Sequence, residues 1–284
     1  MNYKISCITS LYKCEDYLVN FLSQLNNIKN NEEIEYIFIH NDPTKQETEI
    51  INTFINSHKN INISYVKVRR ERLYTSWNRA IRIATGKYIT IWNVDDIRFP
   101  KSFIWQSELL DEYEGVGLVY GNRYISNKYH SEELTPVETK CISNDKWFKK
   151  FQGGCFYMWR KTIHDQIGYF DEQFVSLGDQ DFWYRMLENF TVKKTEKYLG
   201  VFMFEEGKGI SKTSTLPGIE KIIIGARYGF FTYIDNSGWI QALREYNWNK
   251  ISYYDSYRKH TIFKYPSIWI YLYSVYMILA SFFR

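Results

Sequence analysis

The chain has 284 residues, a net charge of +4, 24% charged residues, 15 Gly and 5 Pro. That composition excludes collagen-like, low-complexity and disordered classes, and the charge is too small and too spread to mark a nucleic-acid partner. The unusual figure is 19% aromatic residues, as 9 Trp, 25 Tyr and 19 Phe: either the core is aromatic, or some rings meet a surface that is not plain water. The length suits one large α/β domain or two small ones. The four cysteines, Cys7, Cys14, Cys141 and Cys155, form no C-x-x-C pair and have no His cluster beside them. They read as buried reduced thiols. No basic-then-apolar segment precedes the first strand-like run, so a cytoplasmic protein is expected.

The first half alternates two periodicities. Ile5 to Ser10 is a short apolar run, read as a buried strand. Leu18, Phe21, Leu22 and Leu25 then repeat at helical spacing. Ile34 to His40 is strand-like, and Ile50, Ile51, Phe54 and Ile55 form a second helical face. Ile61 to Val68 is rich in β-branched residues. Tyr74, Trp77, Ala80, Ile81 and Ala84 predict a third helix with Gly86 as its C′ residue. Tyr88 to Trp92 is a fourth strand, Pro100 opens a helix to about Tyr113, and Val116 to Tyr120 is a fifth strand. This alternation implies a parallel sheet with helices on both faces. Ligands in such sheets bind beyond the carboxyl ends of the strands, so the loops after Ser10, His40, Val68 and Trp92 are where a site is expected. Residues 122–150 read as an irregular excursion. The chain is regular again from Gly153 to about Ser214, and helical and aromatic from Pro217. The division expected is an α/β domain over 1–214 and a helical extension over 215–284.

Four segments carry chemistry. Trp92-Asn93-Val94-Asp95-Asp96 puts adjacent carboxylates at a strand end, where they repel unless a cation or donor neutralises them. A divalent metal that also keeps phosphate oxygens in its shell would do so; an N-cap cluster is the equal alternative. Gly178-Asp179-Gln180-Asp181-Phe182-Trp183 places Asp179 at a helix start, either as a cap or as a general base. The basic run Lys67 to Arg72 is a solvated edge or a phosphate site. The pair Gly153-Gly154 permits close approach of a ligand to the backbone.

Taken in order, these segments resemble the family-2 glycosyltransferases of GT-A fold, over about Ile5 to Ser211. Ile5 to Lys13 stands at the family's first strand and turn, which implies that Ser10, Leu11, Tyr12 and Glu15 lie along the nucleotide. Ile37 to Thr44 is similar to its D-D-x-S segment and makes Asn41 and Asp42 candidates for the uracil edge. Arg72, Asn78 and Ala84-Thr85-Gly86-Lys87-Tyr88-Ile89 resemble its next run, which implies that Arg72 approaches nucleotide or diphosphate and adds Asn78 to the donor side. Asn93-Val94-Asp95-Asp96 stands at D-x-D-D with Asn for the first Asp. That implies a metal (Mn or Mg) on Asp95, with Asn93 and Val94 near the donor. Glu206 loosely occupies the place of a further metal ligand. The Gly178 to Arg185 block looks like E-D-x-D-L-W-L-R, with Gly178 for the Glu and Asp179 as catalytic base. Asp96, Gly153, Gly154, Asp181 and Trp183 fall on the acceptor side or support the site, with helix-core packing the commoner fate of a Trp in such a pattern.

The resemblance implies an inverting transfer from a nucleotide sugar, a uridine one favoured, to a glycan or lipid-linked acceptor in surface polysaccharide synthesis. Residues 266–283 are eighteen in a row without a charge, about 27 Å as a helix and just short of a comfortable crossing. Their spread tyrosines and the basic flank Arg258, Lys259, His260 and Lys264 suit a membrane surface. Packing on the domain, pairing in a homodimer and a full span are the alternatives. Two other classes remain: an inactive nucleotide-sugar or glycan-binding module, which the departures at Asn93 and Gly178 would suit, and a nucleotidyltransferase, for which Ser10 to Cys14 lacks the glycine-rich basic loop.

Overall fold

A computed structural model describes residues 3–129, 131, 133–140, 154–204, 216–228, 241, 244–246, 250–252 and 257–259. Gly153, Glu206, Cys141, Ser211 and the 266–283 tail lie outside the described residues. Contacts divide the chain into two compact units, Met1–Ile167 with Asn189–Glu206, and Gly168–Glu188 with Gly207–Arg284.

The first unit opens with β1 (Ile5–Leu11), α1 (Glu15–Leu25), β2 (Ile34–Asn41), α2 (Lys45–Ser57), β3 (Asn62–Val68), α3 (Leu73–Ile83) and β4 (Tyr88–Ile91). It continues through β5 (Ile97–Arg98), α4 (Ser102–Glu112), β6 (Val116–Ser126), β7 (Thr135–Val137), β8 (Tyr157–Arg160), the short α5 (His164–Ile167) and, after the second unit's α6 (Gly178–Asn189), β9 (Thr191–Met203). The nine strands form one sheet in the order β3-β2-β1-β4-β8-β6-β9-β5, with β7 on β6. β3, β2, β1 and β4 are parallel. The expectation of a parallel sheet is modified beyond β4: β8 inserts antiparallel between β4 and β6, and β5 pairs antiparallel with β9.

The two periodicities account for the layers. Strand side chains alternate between faces, and Cys7, Leu11, Tyr36 and Phe38 join Leu18, Phe21, Leu22 and Leu25 of α1, Ile51 of α2 and Trp92 in one core. α3 packs on β1 and β2. It connects β3 back across β1 to β4, so a right-handed crossover puts it on the opposite face. The chain therefore reverses its direction of travel at β1 and β4, and the loops at their carboxyl ends flank the switch point.

Two expectations are corrected here. Gly86 is not a C′ glycine, because α3 already ends at Ala84 with an extended ψ of 137°. A Cβ at Gly86 would lie 2.6 Å from the Ser6 backbone nitrogen, so glycine is needed for close approach of the chain to β1. Asn122 to Ser126 is not irregular but the end of β6, which pairs with β9 through register shifts on either side of Asn122. In the second unit α7 (Leu216–Tyr228) follows the expected helical pattern. Beyond it, β10 (Lys250–Ser252) and β11 (Tyr257–Lys259) form an antiparallel pair that the aromatic-rich sequence does not announce.

Candidate active site

Three loops meet at the carboxyl end of the parallel strands. Leu11 is buried, Ser10 is half-buried, and Tyr12 is exposed with the Arg70 guanidinium 3.6 Å from its ring centroid. The loop after β1 thus touches the loop after β3. Glu47 joins the β1 loop to the β2 loop: its carboxylate accepts from the Cys14 N–H at 2.8 Å, the Thr44 N–H at 2.9 Å and His40 Nε2 at 3.2 Å. Thr44 caps α2 and completes a reciprocal capping box with Glu47. Burial would raise the Glu47 pKa, but the Thr44 and Cys14 N–H groups, the Cys14 thiol and the Thr44 hydroxyl bring it down to about 2. Burial lowers the His40 pKa, opposed by the Glu47 charge. The Thr44 hydroxyl also donates to Glu15, which is exposed.

Asn41 is buried, and its amide spans the site's framework. Its NH₂ donates to Ser76 Oγ at 2.9 Å, and its carbonyl accepts the Glu71 N–H at 2.9 Å. Asp42 sits at φ 41° and accepts the Arg70 N–H at 3.0 Å. Glu71 in turn takes Ser76 Oγ at 3.0 Å and Arg79 at 2.7 Å. Arg72 is the N-cap residue of α3 and Asn78 is fully buried within that helix. The two uracil-edge candidates therefore sit together, and both also lock the loop after β3 in place.

At the end of β4 the acidic motif splits its labour. Asp96 is buried and accepts the Met203 N–H at 3.1 Å and the Asn93 NH₂ at 3.0 Å. Its pKa is pushed well above the usual carboxylate range, by burial first and by the neighbouring Asp95 charge second. Asn93, Val94 and Asp95 are half-buried. Of the motif's two carboxylates Asp95 is the one that would hold a hard divalent ion, since both Asp96 oxygens already hold N–H donors. Among the described residues the one group of three candidate ligand atoms within 4.8 Å of one another is elsewhere, at Cys14, His40 and Glu47. There the Glu47 oxygens are filled by N–H groups, and burial and the Glu47 charge hold the thiol well above its usual pKa.

In the second unit, Leu177 supplies the first helical carbonyl of α6, accepting the Asp181 N–H at 3.1 Å. Asp179 therefore lies in the first turn, where the helix dipole favours a carboxylate; it is half-buried and its Oδ1 accepts the Gln180 N–H at 2.8 Å. Asp181 is fully buried and pairs with Arg185 at 3.0 Å and Arg227 at 2.7 Å. Arg227 also pairs with buried Asp171 at 2.6 Å. Burial would lower the Arg227 pKa, but the two carboxylates raise it. Trp183 and Tyr184 are buried too, 2% and 4% exposed, so both rings pack inside. Gly154 sits at φ 73°, and a Cβ there would meet the Arg123 guanidinium.

Glu47, Glu71, Glu220 and Arg227 were not singled out from the sequence. Thr44-x-x-Glu47 was readable as a capping box. Nothing local announces the others: Glu71 lies in a loop and reaches Ser76 and Arg79 of the following helix, and the partners of Glu220 and Arg227 are distant in the chain.

A Rossmann-like sheet whose parallel strands end in a cluster of loops, with an acidic motif just after β4, is the architecture of the GT-A fold. The comparisons agree. The family model described as glycosyl transferase family 2 matches residues 6–171, and the chain belongs to that family. An uncharacterised glycosyltransferase of Methanocaldococcus jannaschii is 26% identical over 193 residues, 65% of each chain. The chain thus spans just under two thirds of that relative's length. Among solved structures, S. aureus TarS residues 1–349 in complex with UDP-GlcNAc has a TM-score of 0.60 at 16% identity, covering 85% of this chain and 64% of that one. The mannosyltransferase PcManGT from Pyrobaculum calidifontis, in complex with GDP-Man and Mn2+, has a TM-score of 0.54 at 11% identity, covering 86% and 65%. At these identities the structural likeness speaks for the fold. No helix among the described residues is long and apolar enough to cross a membrane.

Proposed function

We propose that the enzyme is an inverting transferase moving a sugar from a uridine-diphosphate donor to a hydroxyl of a glycan or lipid-linked acceptor, in surface polysaccharide synthesis. The observation that carries this reading is a shared division of labour. In each acidic motif one carboxylate, Asp96 or Asp181, is buried and tied into the fold, while its neighbour, Asp95 or Asp179, is half-exposed.

Asp179 takes the proton of the acceptor hydroxyl as that oxygen bonds to the anomeric carbon. The bond from that carbon to the diphosphate breaks, and the nucleoside diphosphate leaves with the electron pair. An alcohol is too weak an acid to attack unaided, so a placed carboxylate typically contributes roughly 10² to 10⁴ in rate. The residues around Asn41, Asp42 and Tyr12 hold the nucleotide. Asp95 would hold a divalent ion, which when bound would supply positive charge against the departing diphosphate.

The test is a panel of nucleotide sugars assayed for nucleotide release with wild type and Asp179→Asn. The variant should keep donor affinity and lose turnover by roughly 10² to 10⁴. Undiminished turnover removes Asp179 from the mechanism.

A further inference from the structure

The second unit's carboxyl-terminal half grips the segment that carries Asp179 at three successive points. Ser252 of β10 donates its N–H to Asp171 at 3.1 Å and accepts the Glu172 N–H at 2.8 Å. Glu220 of α7 accepts three consecutive backbone N–H groups, Val175 at 2.6 Å, Ser176 at 2.9 Å and Leu177 at 2.7 Å. Arg227, seven residues and so two turns further along the same face of α7, pairs with Asp171 and Asp181. Glu220, Arg227, Asp171 and Asp181 are all fully buried. A hydroxyl from Tyr246 donates to Glu220 at 3.2 Å.

The middle point bears directly on Asp179. Three N–H groups in a row make a concave anion site, and here the anion is a side chain of the same chain. It sits immediately before the first turn of α6, and Asp179 is two residues past Leu177. Removing the Glu220 carboxylate leaves three half-buried donors without the acceptor they share. The backbone must then turn to find other partners, and Asp179 turns with it.

We propose that Glu220 is a positioning residue for the catalytic base: α7 sets the orientation of Asp179 through the 175–177 backbone. This rests on the assignment of Asp179 as base. Glu220 touches no substrate in this account; it acts through Asp179 alone, and that is what separates it from a residue that merely supports the fold.

The experiment is a double-mutant cycle on the full chain, read as kcat and donor KM with whichever UDP-sugar of the panel wild type turns over fastest. Glu220→Gln should lower kcat by about 10- to 100-fold, the scale of a base displaced by an ångström, with donor KM unchanged. In the Asp179→Asn background the same change should cost nothing further, because the group being positioned is gone. A multiplicative loss in both backgrounds, or an undiminished kcat for Glu220→Gln, overturns the positioning role while leaving the base intact. If Asp179→Asn turns over as wild type does, or wild type turns over no member of the panel, the assignment of the base falls and this inference with it. Should Glu220→Gln not fold, Tyr246→Phe removes one donor to the same carboxylate. It should show a smaller kcat loss with the same vanishing in the Asp179→Asn background, and persistence of the loss there refutes the proposal.

Discussion

Replacing Glu47 by Gln tests the junction of the loops after β1 and β2. The carboxylate is fully buried and faces four groups from two loops and a strand: the Cys14 N–H and thiol, the Thr44 N–H, and His40 of β2. Its pKa falls from 4.5 to about 2 on folding, which corresponds to about 3 kcal/mol of stability at neutral pH. The sign follows from linkage. A depressed carboxyl stabilises the fold fully above its unfolded pKa and loses that contribution as pH drops through the folded one, so the window runs from about 4.5 down to about 2. Gln keeps the shape but turns an amide NH₂ toward either Cys14 or Thr44, donor against donor. Urea denaturation at pH 7 should show the variant about 3 kcal/mol less stable, and the gap should close as the pH approaches 2. A gap of the same size at both ends would mean that packing, and not the ionised carboxylate, holds the loops together.

Asp95→Ala should abolish the dependence of nucleotide-sugar binding on manganese, measured by thermal shift with and without the ion; stabilisation that survives chelation in wild type removes the ion from Asp95. Gly200→Ala should destabilise the first unit by about 1–3 kcal/mol or more, because the added Cβ would press on the Ile97 carbonyl where β5 meets β9 and on the Phe156 ring. An unchanged urea midpoint would contradict that packing. A membrane-surface role for residues 266–283 is tested by truncation before Tyr265, which on that reading lowers the share of protein that pellets with membranes; equal partition of the long and short forms removes the segment as an anchor.

Much of the first unit is legible from periodicity because its helices lie against a sheet, and α1 shows this most plainly. Leu18, Phe21, Leu22 and Leu25 repeat at helical spacing and are all buried. The acidic motifs are legible as pairs of close carboxylates whose mutual repulsion needs a donor or cation, although a capping role reads equally well from the same pattern. The insertion of β8 between β4 and β6 is not legible, since strand order depends on long-range pairing that no local pattern encodes. Nor is the reach of Glu220, whose partners lie 43 to 45 residues earlier in the chain; a Glu in a helix reads from sequence as a solvated residue. Gly86 was misread for a related reason. Its cause is a neighbouring strand, 80 residues away at Ser6, and not the end of its own helix.

The two departures from the family pattern, Asn93 and Gly178, would be expected of an inactive binding module. The surroundings of both argue for a working enzyme. At Asn93 a third carboxylate beside Asp95 and Asp96 would add repulsion to a buried group already pushed toward its neutral form. The amide instead donates to Asp96 at 3.0 Å, so the substitution steadies the motif while the half-exposed Asp95 is retained. At Gly178 the chain carries no side chain, and the three N–H groups just before it are held by the Glu220 carboxylate of α7. In both motifs the described ion pairs and hydrogen bonds gather on a buried carboxylate, Asp96 in the first and Asp181 in the second, and the half-exposed neighbours Asp95 and Asp179 are the side chains whose substitution tests the enzyme reading against the binding module.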